Sequence, residues 1–156
     1  MRWKKSYKGK TRYIQYSENN DEPEDHVEAK ARSRQVLSDS GYELITNTDK
    51  FEFKLPELYN EIGDMKRNYD LDVLMYNRER KHLVIVEVNG AYHFATPHKA
   101  AATALKSEIV ISFFNKYDNL KVKDKEYPYD SFVYHGIRTE DLLEMSLEEL
   151  KIKLVG

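Results

Sequence analysis

The chain has 156 residues, no cysteine, a formal charge of −2, and a charged fraction of 33% against a hydrophobic fraction of 40%. That length suits one domain with a buried core. The missing cysteine removes disulfides, thiolate nucleophiles and cysteine-bound zinc, so any metal must rest on oxygen or histidine. No apolar run approaches the roughly 18 residues of a membrane span, and the basic start lacks a secretory apolar stretch; both predict an intracellular, cytoplasmic protein with no membrane partner.

Taken in chain order, residues 1–20 read as a basic, flexible arm ahead of a single domain over 21–156. Arg2, Lys4, Lys5, Lys8, Lys10 and Arg12 stand among Trp3, Tyr7, Tyr13 and Tyr16, with no acid before Glu18. Lysine and arginine displace counterions from phosphates and aromatic rings stack on unpaired bases, so these six cations are the candidate nucleic-acid contacts. A solvated terminus is the alternative reading. Asp21–Ser40 predicts a helix, with Pro23 in its first turn, acids facing the positive end of the dipole and Gly41 as the stop. Its apolar face is thin, carried by Val27, Ala31 and Leu37. Tyr42–Asn47 predicts a strand, and Phe51–Asn68 an insertion packed on the core.

Asp70–Tyr76 and His82–Val88 predict two strands joined by the short polar turn Asn77–Lys81. The second strand, nearly continuous in apolar residues, suits a sheet centre covered on both faces. Ala101, Leu105, Ile109 and Phe113 recur at intervals of four from Pro97 to Tyr117 and predict a long buried helix. Leu120–Val122 and Phe132–Tyr134 predict strands. Thr139–Leu154 predicts one or two short helices, the second opened by the capping box Ser146-x-x-Glu149. The expected fold class is α/β, a mixed central β-sheet flanked by helices.

The chemistry concentrates at the hairpin. Asp72 begins one strand and Glu87 ends the next, and a hairpin sets such positions side by side. Two carboxylates held that close repel unless a cation lies between them, which makes the pair a candidate Mg²⁺ or Mn²⁺ site with the Val88 carbonyl as a third oxygen. An acid between Val86 and Val88 at the end of a buried strand is costly without such a partner. Asp70 competes with Asp72, since alternation puts both on one face. His26, His82, His98 and His135 show no metal-ligand spacing.

At these residues the chain resembles the PD-(D/E)XK nuclease superfamily, in which an aspartate, a hairpin and Glu-x-Lys form the site. It is more closely similar to the branch written Glu-Val-Asp-Gly-x-x-His-Phe, found in very-short-patch-repair-like endonuclease domains and related organelle RNA-associated domains. The matching string is Glu87-Val88-Asn89-Gly90-Ala91-Tyr92-His93-Phe94, and the likeness spans residues 22–135. The resemblance implies a restriction-endonuclease-like core, Mg²⁺-dependent hydrolysis of phosphodiester bonds, and DNA as partner, with RNA as the alternative. It also implies an acid on the first helix, for which Glu28 is the best-placed match and Glu24 the substitute. Asn89 departs from the pattern, because a neutral amide cannot do the work of the family lysine on the attacking water. Lys106 or Lys99 on the following helix, or His93 as an acid or base, are the candidates to replace it. Two other functions stay open: a catalytically silent nucleic-acid-binding module of the same fold, and a Holliday-junction resolvase acting as a homodimer.

Overall fold

The computed structural model describes residues 2–4, 11–13, 15–18, 23–45, 51–55, 69–90 and 95–156. Its centre is a five-stranded mixed sheet in the order β1-β11-β8-β7-β4. The strands are β1 (Arg2–Lys4), β4 (Glu43–Leu44), β7 (Val73–Asn77), β8 (His82–Asn89) and β11 (Ser131–Arg138). β8 runs antiparallel to β7 and parallel to β11. Two three-stranded sheets flank it. One joins β2 (Thr11–Tyr13), β9 (Asn119–Val122) and β10 (Lys125–Pro128); the other joins β3 (Gln15–Glu18), β5 (Phe51–Leu55) and β6 (Tyr69–Leu71). Among the described residues no helix is long and apolar enough to cross a membrane.

β8 holds the centre because its sequence tolerates burial on both faces. Leu83, Val84, Ile85, Val86 and Val88 are all at most 1% exposed, each burial contributing about 1.5–3 kcal/mol. Alternation divides them. Val84, Val86 and Val88 join Val73 and Met75 against α1 (Glu24–Asp39), α3 (Thr139–Glu144) and α4 (Leu147–Val155). Leu83 and Ile85 join Leu74 and Tyr76 against α2 (Pro97–Asn115). Glu87 shares the α2 face by the same alternation. The β7–β8 turn places Lys81 in the left-handed region at φ 51°, and Asn77 Oδ1 accepts the Arg80 N–H at 2.9 Å.

Several expectations change in the folded chain. Of the strand expected over Tyr42–Asn47, the structure contains Glu43–Leu44, the rest from residue 46 lying outside the described residues. β10, not expected from the sequence, makes a hairpin with β9. The stretch read as a basic arm runs partly as strands: β1 pairs with β11, β2 with β9 and β3 with β5.

The helix α2 is not buried along its length. Ile109, Val110, Phe113 and Phe114 are buried, whereas Ala101 and Leu105 are exposed. Residues spaced by four drift about 40° per step around a helix, so Ala101 lies about 120° and Leu105 about 80° from Phe113. Lys106, seven residues before Phe113, is only about 20° from it. The core stripe of α2 therefore continues through a lysine.

The helix α1 corrects its expectation too. Its buried face consists of Ala29, Lys30, Ser33, Arg34, Val36 and Leu37, with Val27 and Ala31 only half-buried. Leu37 apart, the apolar face expected of it is replaced by one carrying two cations.

Candidate functional site

The hairpin register brings the two acids together. Val73 lies opposite Val86, so one step further along an antiparallel pair Asp72 meets Glu87. At that step the chain changes sheets: Leu71 is laddered to Phe53 in β5, while Val73 is laddered to β8. Asp72 occupies the bend between them. Its Oδ2 accepts the Val88 N–H at 2.8 Å, and its own carbonyl accepts from the buried Arg34 guanidinium at 3.1 Å. A residue in an extended strand points its N–H and C=O to the same side, so the Val88 carbonyl also faces this edge.

Both carboxyls are buried, Asp72 at 7% and Glu87 at 4% exposure, and they lie close enough for each to feel the other's charge. Two basic side chains bracket them. His26 Nε2 lies 3.2 Å from Asp72 Oδ1, and Lys106 Nζ lies 3.3 Å from Glu87 Oε2. The two acids respond in opposite directions. Burial pushes Asp72 up, but His26, Lys106 and the Val88 N–H outweigh it and hold the carboxyl below its usual range. Burial drives Glu87 well above its usual range; Lys106 opposes the rise and the charge on Asp72 adds to it. The pair therefore favours the charged form of Asp72 and the protonated form of Glu87.

The residues expected from sequence separate into those that converge and those that do not. Asp72, Glu87, Val88 and Lys106 meet at one point. Lys99 lies half-buried in the first turn of α2, two turns from Lys106, with its N–H capped by Thr96 Oγ1 at 3.1 Å. Asn89 ends β8 half-buried, opposite Arg138. Glu28 is corrected: it is exposed, about 200° around α1 from His26, so the first helix presents an imidazole to the site instead of an acid. Glu24 is exposed as well. Asp70 is laddered to Lys54 in β6, on the other side of the bend from β7. His93, Lys5, Lys8 and Lys10 lie outside the described residues, while Arg2 and Lys4 fall in β1 and Arg12 in β2.

His26, Arg34 and Tyr134 are the site residues that sequence reasoning missed. The signal for the first two was the eight-residue spacing His26–Lys30–Arg34, which puts three cationic types on one helix face. Tyr134 on β11 is half-buried; burial, then the charges on Glu87 and Asp72, raise its phenol above the ordinary value.

The donor set suits a hard divalent cation. Oε1 of Glu87 is buried with no hydrogen-bond partner, and a carboxyl oxygen left so, beside the ionised Asp72, is what such a cation would satisfy. Among the described residues no group of three or more His, Asp or Glu side chains is arranged to hold a metal ion. The ligands on offer are thus two carboxylates and a backbone carbonyl. Comparison with protein-family models, curated proteins and solved structures finds no match.

Proposed function

We propose that this protein is a divalent-cation-dependent phosphodiesterase that cuts DNA, acting as an endonuclease. The observation that carries this reading is the buried Asp72–Glu87 pair with Lys106 at 3.3 Å and one glutamate oxygen left without a partner. Asp72, Glu87 and the Val88 carbonyl would hold Mg²⁺ or Mn²⁺, which when bound supplies positive charge for an attacking water and for the phosphate as charge builds on it. The rest of the work falls to the chain itself. His26 and the Val88 N–H fix Asp72 in its ionised form and in one orientation. Lys106 brings the cation missing at Asn89 from the neighbouring helix, and contact with Glu87 holds its ammonium at the acids. Around the central sheet, the succession α1, β4, the β7–β8 hairpin, α2 and β11 supports this reading.

The test is nicking of supercoiled plasmid in Mg²⁺ or Mn²⁺, with EDTA as control. Nicked and linear products only in the presence of metal are expected. Absence of cutting on plasmid, single strands and four-way junctions alike would overturn the reading; binding without cutting would then assign the chain to the silent nucleic-acid-binding class. Selective cutting of four-way junctions by a dimer would identify a resolvase.

A further inference from the structure

The α2 face of the sheet continues past Glu87 onto β11, where a glycine leaves its surface open. Gly136 is the register partner of Glu87 in the parallel β8–β11 pair, so the two backbones run about 4.8 Å apart there. A side chain at that position would stand beside the Glu87 carboxyl. None does, and Gly136 is exposed.

Two polar groups converge over the gap. A Cβ placed on Gly136 would lie 3.5 Å from Asn89 Nδ2, 3.6 Å from Tyr134 Cε1 and 3.8 Å from the Tyr134 hydroxyl oxygen. Asn89 follows Glu87 by two residues on the same face, and Tyr134 precedes Gly136 by two on the neighbouring strand. Alternation thus sets an amide and a phenol on either side of a bare backbone, next to the buried acids. The glycine has no other conformational reason to be there. It does not adopt a positive φ, and a methyl would meet only ordinary contacts.

From this geometry we infer that Gly136, Asn89 and Tyr134 form a cradle for one phosphate group of the nucleic-acid backbone. The chemistry matches. A phosphodiester carries non-bridging oxygens that only accept hydrogen bonds, and the cradle offers an amide N–H and a phenol O–H. The Asp72 carboxylate would otherwise repel the anion, so neutral donors on this side, with Lys106 in contact with Glu87, let it approach without adding further buried charge. A phenol keeps its proton at neutral pH, which leaves it a donor. Asn89 then has a binding role at the place where the resembling family has a lysine, while Lys106 supplies the charge from the helix.

The inference rests on the nuclease reading, and its experiment separates the two. Tyr134→Phe removes one donor without changing shape; Gly136→Ala fills the cradle with a methyl that the neighbours accommodate. Both variants are expected to melt like wild type and to bind Mn²⁺ alone with unchanged affinity. Under single-turnover conditions in Mn²⁺, Tyr134→Phe is expected to cut plasmid DNA roughly 10- to 100-fold more slowly, as for loss of one hydrogen bond to a charged oxygen. Gly136→Ala is expected to raise the protein concentration needed for half-maximal rate by about tenfold or more, since it blocks the seat of the phosphate. Wild-type cutting by both variants would overturn the cradle and leave the nuclease reading standing. A wild type that neither cuts nor binds DNA would overturn both.

Discussion

Replacing Lys106 by Met tests the electrostatics of the site without needing a substrate. Glu87 has a raised pKa, so the folded state binds its proton more tightly than the unfolded chain. Its contribution to stability is complete below the unfolded value of 4.5 and is lost as pH rises through the folded value. Lys106 resists that loss by stabilising the ionised form. At 3.3 Å the gross attraction is about 5 kcal/mol at an effective dielectric of 20. Most of that is consumed by removing both groups from water, leaving about 2 kcal/mol, the worth of a charged hydrogen bond. In EDTA, urea unfolding followed by circular dichroism is expected to give the smallest difference at the acid end of the titration, where the proton on Glu87 leaves the lysine no charge to offset there. The variant is expected to fall behind by about 2 kcal/mol near pH 9. Glu87→Gln is expected to close most of that gap, because a neutral amide has no charge for the lysine to offset, and the double variant measures the coupling. A deficit that does not grow between pH 5 and 9 would refute the assignment of Lys106 to the charge on Glu87.

The two acids, alike in cleavage, are expected to differ in stability. Asp72→Ala and Glu87→Ala should each abolish metal-dependent cutting, with full activity of Asp72→Ala disproving the site. In metal-free buffer at neutral pH, Asp72→Ala should cost about 1–3 kcal/mol, because the buried Val88 N–H and His26 lose their acceptor; Glu87→Ala should be neutral or stabilising in the same urea titration. His135, held down to about 4 by burial, stays neutral in the fold. Stability is therefore expected to fall as pH drops from 6.5 toward 4. The shift corresponds to about 3.4 kcal/mol, reduced to about 2 kcal/mol by partial solvation of the ring; His135→Phe should flatten this stretch of the pH profile. Neutralising Lys5, Lys8 and Lys10 with glutamine should weaken DNA binding on all sequences alike and flatten the plot of log K against log salt by about 0.9 per lost duplex contact. An unchanged slope would remove these three lysines from the proposed DNA contacts.

Much of the framework was legible from short-range pattern. The apolar run Leu83–Val86 pointed to a strand covered on both faces, and the polar turn Asn77–Lys81 made it half of a hairpin. The positions of Asp72 and Glu87 at the two ends of that hairpin followed from the same periodicity, and the capping box Ser146–Glu149 needed only four residues of sequence. All of these are set by neighbours along the chain, where alternation and turn chemistry act.

What the tertiary structure decided is how helices are turned against the sheet. The polar faces of α1 and α2 gave no local reason to prefer Glu28 over His26, or Lys99 over Lys106. Packing settled both: Leu37 and Val36 fixed the rotation of α1 and turned His26 and Arg34 toward Asp72, while Phe113 and Ile109 fixed that of α2 and brought Lys106 onto Glu87. The convergence of Asn89, Tyr134 and Gly136 depends on the parallel register of β8 and β11. These strands are separated in the chain by α2, β9 and β10, so their pairing arises from burial of the whole sheet and no local sequence pattern specifies it.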